Sequence, residues 1–348
     1  MAKINLKIDG LDIITAKGKT VLETALENHI YIPHLCYHPD LEPAGVCRLC
    51  MVEIGGRLVA ACKTDVAQGL EVVTQSEAID KARQVAMELL IVNHDGECLS
   101  CEKDSDCQMQ EAANYIGIDK QRLERLRRSS RKLPIDKSNP FFELDHNKCI
   151  LCGICVRTCS EIQGLGAIDF AGRGYDTRIS TFIDQLWVDS TCESCGECVL
   201  RCPTGALSLK NKQKPSRTVK TTCPYCGVGC SIYLGLRANT IVDVTGDRDC
   251  VVNKGRLCVK GRFGYGFVNH SDRLRTPLIK RNNKFEEATW EQALQVIAKK
   301  FKKYQGKRNF AAVSSAKCTN EENYLIQKFA RAVMGTNNVD HCARLCHA

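Results

Sequence analysis

Apolar and polar residues alternate over residues 1–20, where Ile4, Leu6 and Ile8 are followed by Leu11 and Ile13 around Asp9-Gly10. Period-two alternation broken by an Asp-Gly pair predicts a β-hairpin. Thr20 and Glu23 make a capping-box pair, so a short helix is expected over 21–29, with Pro33 closing it. Over 76–92 the period changes to that of a helix, with Ile79, Ala82, Val85, Ala86, Leu89 and Leu90 on one stripe ending at His94. Residues 120–132 carry Lys120, Arg122, Arg125, Arg127, Arg128, Arg131 and Lys132 with little apolar content. They read as a solvated helix and linker, with a partner-docking surface as the alternative. Residues 211–218 read as a second linker. Further on, Thr289 and Gln292 cap a helix with the stripe Trp290, Ala293, Leu294, Ile297 and Phe301. Residues 310–315 read as a buried strand, and Thr319 with Glu322 caps a helix ending near Gly335. Helix, strand, helix is the opening of an α/β layer.

A chain of 348 residues implies two or more domains. Cysteine changes the picture more: there are 23, at strict short spacings. A disulfide scaffold would need a secreted context, and the N-terminal sequence has no signal-peptide apolar core. Clustered cysteines in an intracellular chain point to metal ligands. The net charge of +9 suits anionic partners or a phosphate-bearing cofactor. No nucleic-acid partner is expected. No apolar run is long enough to span a bilayer, and the expected location is cytoplasmic.

The first ligand set is Cys36, Cys47, Cys50 and Cys62. Four thiolates can hold one [2Fe–2S] unit, the tight C-x2-C loop gripping one iron; a four-cysteine zinc site is the alternative. The C-x10-C-x2-C-x11-C spacing resembles the N-terminal ferredoxin-like domain of the complex I large iron–sulfur subunit, iron-only hydrogenases and NAD-linked formate dehydrogenases. Next comes His94-x3-Cys98-x2-Cys101-x5-Cys107. A neutral imidazole in place of a thiolate removes negative charge and raises a cluster's potential. This spacing resembles the one-histidine, three-cysteine [4Fe–4S] motif of the same families.

A repeat follows: Cys149-x2-Cys152-x2-Cys155-x3-Cys159, then Cys192-x2-Cys195-x2-Cys198-x3-Cys202-Pro203. This is the bacterial two-cluster run, in which the fourth cysteine of each motif crosses to the other [4Fe–4S] cluster. Cys149, Cys152, Cys155 and Cys202 are therefore assigned to one cluster, and Cys192, Cys195, Cys198 and Cys159 to the other. Gly153 and Gly196 leave room for the backbone to turn toward the sulfurs. Ser160 stands where proline is usual, and a long insertion separates the motifs.

The next set is Cys223, Cys226, Cys230 and Cys258, followed by Lys260. C-x2-C-x3-C-x27-C resembles the small cluster domain of the molybdopterin oxidoreductases, formate dehydrogenases above all. That resemblance implies a fourth [4Fe–4S] site, with Lys260 between cluster and pterin; taken alone, Lys260 is a surface lysine. Cys250 is left as a packing residue. In His341-Cys342-Ala343-Arg344-Leu345-Cys346-His347 the spacing is one too long for haem attachment. Alone, it reads as a buried cysteine beside an ordinary histidine. In context it resembles the C-A-R-x-Cys/selenocysteine-His motif of formate dehydrogenases. That implies Cys346 as a molybdenum or tungsten ligand and His347 as an aid to proton movement, with Arg344 given no part in holding formate.

The modules follow the order used by soluble NAD(P)-linked formate dehydrogenase catalytic subunits. The resemblance implies an α+β, multidomain chain: a β-grasp [2Fe–2S] domain over 1–78, a one-histidine/three-cysteine [4Fe–4S] domain over 79–138, a two-cluster ferredoxin-like domain over 139–212, a molybdopterin-oxidoreductase [4Fe–4S] domain over 219–275, and the start of an α/β pterin-binding domain over 276–348. The implied cofactors are one [2Fe–2S] cluster, four [4Fe–4S] clusters and, in the complete subunit, a molybdenum or tungsten bis(molybdopterin guanine dinucleotide). The implied substrate pair is formate and carbon dioxide. The implied partners are flavin- and NAD(P)-binding iron–sulfur subunits, with ferredoxin or a hydrogenase beyond them. The rivals are an electron-transfer subunit without chemistry of its own, an iron-only hydrogenase, the complex I subunit, and a zinc-stabilised scaffold. A chain ending at Ala348 is expected to hold clusters without closing a pocket round the metal–pterin centre.

Overall fold

The computed structural model describes residues 2–96, 98–104, 106–126, 132–306, 309–342 and 344. The chain forms two units, Met1–Asn211 and Lys212–Ala348. In the first, β1 (Lys3–Ile8) and β2 (Leu11–Ala16) pair antiparallel. They turn through Asp9 and Gly10 at φ 50° and 80°, the left-handed pair that an Asp-Gly hairpin supplies. The capping box at Thr20 and Glu23 starts α1 (Val21–Glu27). The helix stops before His29, which is left-handed (φ 60°) and cannot continue it. A hairpin, β3 (Met51–Ile54) and β4 (Arg57–Ala60), and a short strand β5 (Glu71–Val72) parallel to β1 complete the module. Ile4, Leu6, Ile8, Val21, Leu22 and Val52 fill its core, together with Cys50 and Cys62.

Helix α2 (Glu77–Val92) forms where periodicity places it, but its buried residues are Ile79, Arg83, Met87 and Glu88, while Leu89 is exposed. Two ionisable side chains thus lie on the inner face. The Arg83 guanidinium donates to the Met51 carbonyl (2.7 Å). After α3 (Gln108–Ile116) comes α4 (Lys120–Leu126), whose Arg122 brings Nε to 2.8 Å from Glu88 Oε2. The angle is too poor for a hydrogen bond, so the attraction is charge on charge. The basic stretch is therefore not wholly solvated; Arg127, Arg128 and Arg131 lie outside the described residues. Arg122→Ala should leave the Glu88 carboxylate buried without its cation. Half of Arg122 is in solvent, which discounts the effect to about 1–3 kcal/mol. The expected readout is loss of iron–sulfur visible absorbance at a lower temperature.

Residues 132–211 form a small two-fold repeat. β6 (Phe142–Leu144) pairs antiparallel with β9 (Leu207–Leu209), bringing the ends of the segment together. Between them lie α5 (Ile154–Arg157), the hairpin β7 (Ile168–Ala171) and β8 (Arg178–Thr181), and α6 (Glu197–Arg201). The hairpin is what the insertion between the two cysteine motifs builds.

In the second unit β10 (Arg217–Thr222), β11 (Ser231–Arg237) and β12 (Thr240–Gly246) form an antiparallel sheet, with α7 (Val259–Phe263) following. β10 takes Arg217 and Thr218 from the expected linker. A hairpin, β13 (Leu278–Arg281) and β14 (Lys284–Glu287), precedes α8 (Trp290–Lys302), which has its capping box at Thr289 and Gln292. β15 (Ala312–Ser314) leads into α9 (Asn320–Lys328), capped by Thr319 and Glu322, and pairs parallel with β16 (Val339–His341). The expectation of a buried strand over 310–315 fails: Val313 is 75% exposed. Among the described residues that sheet has two strands, so one face of β15 has nothing to lie beneath. Phe301, Phe310 and Phe329 pack together on the other side. Among the described residues no helix is long and apolar enough to cross a membrane.

Candidate metal centres

Cys36, Cys47, Cys50 and Cys62 are all buried, Cys50 and Cys62 in the core under the first hairpin and Cys36 and Cys47 in the neighbouring one. Their sulfurs engage in two couples. The thiol of Cys47 donates to Cys36, which draws the Cys36 pKa down and pushes that of Cys47 up. Cys50 and Cys62 do the same. These hydrogen bonds link Cys36 with Cys47 and Cys50 with Cys62, and the Cys47 N–H also points at Cys36 Sγ at 3.5 Å. The chain between Cys47 and Cys50 passes through left-handed Arg48 (φ 56°), and the two sulfurs meet different neighbours.

Cys98, Cys101 and Cys107 are grouped at the foot of α2 and α3, close enough that the first two act electrostatically on the third. Burial holds the half-buried His94 imidazole below its usual pKa, so it is neutral near pH 7. Its Nδ1 accepts the Gly96 N–H (3.1 Å). This site abuts the loop after Cys202. Cys107 Sγ lies 3.9 Å from the Pro203 carbonyl oxygen, and a Cβ on Gly205 would stand 2.3 Å from Cys101 Sγ.

The repeated motifs have matching geometry. Leu151 and Ser194 are left-handed (φ 54° and 55°), as are Gly153 and Gly196 (φ 70° and 77°). Each turn aims an N–H at the first cysteine of its motif: Leu151 N–H to Cys149 Sγ and Ser194 N–H to Cys192 Sγ, both 3.4 Å. Glycine is needed at 153 for a second reason, since a Cβ there would sit 3.2 Å from the Phe170 ring. Two cavities result. One is lined by Cys149, Cys152, Cys155 and Cys202. The other is lined by Cys159, Cys192, Cys195 and Cys198. Burial raises the pKa of Cys152, Cys155 and Cys198, and neighbouring thiols raise it further. Four thiols in one apolar hole are costly to ionise unless a cation joins them. The donor chemistry and the crossing of Cys159 and Cys202 both suit a cubane cluster.

In the second unit Cys223, Cys226, Cys230 and Cys258 act on one another electrostatically. α7 packs against the first of them, since a Cβ on Gly261 would meet Cys223 Sγ at 3.6 Å. Lys260, one residue earlier, is exposed. Cys250 is no packing residue: it is partly exposed, and the backbone N–H groups of Asn253 and Val252 lower its pKa. Cys342 receives the Ala316 N–H (3.5 Å) just past the ends of the parallel strands β15 and β16. Cys346 and His347 lie outside the described residues. Among the described residues no three His, Cys, Asp or Glu side chains converge as the ligands of a single ion would.

Within the first unit the sites are neighbours. Cys36, Cys47 and Cys152 share one apolar core with Leu35, Ile150 and Ile154. Lys148, next to Cys149, acts on both His94 and Cys101. Sequence reading missed Lys148, which pairs with Asp145 at 3.3 Å as well as acting on His94 and Cys101, and Arg157, whose acceptors lie far away along the chain.

Five family models match successive stretches. A 2Fe-2S iron-sulfur cluster binding domain covers 1–77, and the NADH-ubiquinone oxidoreductase-G iron-sulfur binding region covers 83–122. The ferredoxin-like domain of NADH-quinone oxidoreductase subunit 3 covers 139–208. The molybdopterin oxidoreductase Fe4S4 domain covers 216–270, and the molybdopterin oxidoreductase model covers 273–348. The chain belongs to the molybdopterin oxidoreductases that carry a complex I-type iron–sulfur front. It is 40% identical, over 98% of its length, to the NADPH-Fe(3+) oxidoreductase subunit alpha of Geobacter sulfurreducens, spanning 40% of that protein. It is 31% identical, over 98% of its length, to a Staphylococcus haemolyticus protein provisionally named a formate dehydrogenase, spanning 39% of it. A chain of the NAD+-reducing [NiFe]-hydrogenase, solved in its H2-reduced state, matches 60% of this chain with TM-score 0.55 and 36% identity, over 88% of its own length. The chain thus spans about 40% of the length of the curated relatives it matches.

Proposed function

We propose that this chain is the front part of a formate dehydrogenase catalytic subunit. In this reading Cys36, Cys47, Cys50 and Cys62 hold a [2Fe–2S] cluster, and the sheet and helix of residues 1–78 form its β-grasp frame. His94 with Cys98, Cys101 and Cys107, the two crossed sets of the repeat, and Cys223, Cys226, Cys230 and Cys258 hold four [4Fe–4S] clusters. Cys346 ligates molybdenum or tungsten, His347 takes the proton released from formate, and Lys260 reaches toward the pterin. When bound, the clusters carry single electrons and the metal–pterin centre supplies the two-electron chemistry. The observation that carries the relay is the pair of four-thiol cavities with exchanged fourth ligands. The chain's own part is placement. Cys36 stands beside Cys152, and Cys107 beside Pro203, so Cys149, Cys152, Cys155 and Cys202 hold the junction of the first three modules. A flavin- and NAD(P)-binding partner would exchange electrons at the N-terminal end, in the cytoplasm.

His94 would bind iron through Nε2. The Gly96 N–H at Nδ1 would then have to be released, so that the ring proton can move to Nδ1.

Anaerobic iron and sulfide analysis with EPR during stepwise reduction tests the relay; about 18 iron atoms per chain are expected. In the full-length protein Cys346→Ala should abolish formate oxidation while leaving the iron–sulfur signals in place. The greater identity to the NADPH-Fe(3+) oxidoreductase subunit favours a second reading, a relay with no formate chemistry. A full-length protein with its clusters and metal–pterin centre loaded, yet inert toward formate, would decide for it.

A further inference from the structure

Arg157 ends α5, two residues after Cys155, and reaches out of its own module. Nη2 donates to the Cys36 carbonyl oxygen at 2.6 Å, and Nη1 to that of Glu42 at 2.5 Å. Nε is buried and has no hydrogen-bond partner among the described residues. Both acceptors are neutral carbonyls, so the positive charge stays in the seam between the two modules. The other links across that seam differ. Arg201 meets Asp40 at 2.8 Å and also Glu197, so its charge is balanced. Glu161 accepts the Glu42 N–H at 2.9 Å. On one side of the seam lie Cys36 and Cys47, on the other Cys152, within a single apolar core.

We propose that Arg157 is a positioning and tuning residue, which raises the reduction potentials of both groups flanking the seam by holding a positive charge between them. This rests on the cluster reading of Cys36, Cys47, Cys50 and Cys62 and of Cys149, Cys152, Cys155 and Cys202. Reduction adds one negative charge to either group. A nearby cation in a low-dielectric interior stabilises that added charge, and so favours the reduced state. One electron crossing the seam leaves one side a unit less negative and the other a unit more so, with no proton or leaving group involved. A cation in the middle favours the electron on either side. The two potentials therefore rise together, and the driving force between them changes less than either. Arginine suits the place because its rigid fork spans two carbonyls at once and stays charged at any working pH.

The test is potentiometric titration followed by EPR on the cluster-loaded full chain, comparing wild type, Arg157→Gln and Arg157→Lys. The signal of the Cys149 set is assigned by its loss in Cys202→Ala. At the wild-type midpoint, Arg157→Gln should cut the reduced-to-oxidised ratio of both flanking groups about tenfold, equal to ~59 mV for a one-electron couple. The signal of the Cys223 set should not move. Arg157→Lys keeps the charge and loses the fork, so its ratios should stay within about threefold of wild type. Unchanged midpoints in Arg157→Gln overturn the proposal. So does a lysine variant shifted as far as the glutamine one, because geometry rather than charge would then be the cause. If Arg157→Gln does not load its clusters, Arg157→Met, which also removes the charge, is read against the same thresholds in its place. Absence of the two signals from wild type would instead overturn the cluster reading itself.

Discussion

Changing Gly205 to alanine should strip one cubane cluster from the chain and leave the fold standing. The added Cβ would lie 2.3 Å from Cys101 Sγ, while the next nearest atom, Lys148 Cδ, is 3.6 Å away. The loop cannot retreat. Thr204 Oγ1 donates to the Lys148 carbonyl at 2.9 Å, and the Ala206 carbonyl accepts the Asp145 N–H at 2.7 Å. The backbone at 205 is not in the left-handed region, so alanine itself is not strained. The sulfur has to yield. A free cysteine does so cheaply by turning about χ1, but a cysteine that must hold iron beside Cys98, Cys107 and His94 cannot. Far-ultraviolet circular dichroism should match wild type, while iron falls by about four atoms and the EPR signal of this site alone disappears. Gly266→Ala is the control, since a Cβ there meets nothing within 4 Å and the backbone is equally ordinary. A Gly205→Ala protein with its full iron complement would rule out Cys101 as a ligand in this position.

What could be read from the sequence was whatever short separations determine. The Asp9-Gly10 hairpin and the capping boxes at Thr20, Thr289 and Thr319 involve residues within a few positions of each other. The cysteine spacings were legible for the same reason, because one loop must wrap one group. The chain's inner charges were not legible. Arg83 and Glu88 occupy the core face of α2, where periodicity favoured Leu89. The partner of Glu88 is Arg122, within a stretch whose composition looked merely solvated. Arg157 finds its acceptors 121 and 115 residues away. The left-handed Arg48 between Cys47 and Cys50 is a conformation that no sequence rule anticipates. The same holds for Leu151 and Ser194, ordinary residues in left-handed turns whose use is to aim an N–H at a sulfur. Val313 failed for a different reason. Its apolar pattern calls for cover that the two-stranded sheet of β15 and β16 does not supply.

Cys202→Ala and Cys159→Ala should empty each other's cavities. By sequence Cys202 belongs to the motif of Cys192, Cys195 and Cys198, and a purely local site would lose its iron when Cys202 is changed. The structure puts its thiol elsewhere. Cys202 follows α6 directly, with its sulfur 3.7 Å from Thr204 Oγ1, on the wall facing Cys149, Cys152 and Cys155. Cys159 mirrors it, accepting the Ala167 N–H at 3.2 Å and lining the cavity of Cys192, Cys195 and Cys198. Removing a direct ligand should cost more than the roughly 10–100-fold loss of affinity that outer-shell changes cause, so each variant should lose about four irons. The two losses should differ in reach. The Cys202 set adjoins both Cys36 and the Cys107 site, and its loss should uncouple the [2Fe–2S] signal from electrons supplied at the other end. The Cys159 set lines its cavity with Phe142, Ile168 and Trp187 instead. Its loss should leave direct chemical reduction of the [2Fe–2S] group unchanged. If Cys202→Ala instead retained the signal of the Cys149 set and lost that of the Cys192 set, each motif would be closing on itself, and the junction assigned to the first cavity would have to move to the second.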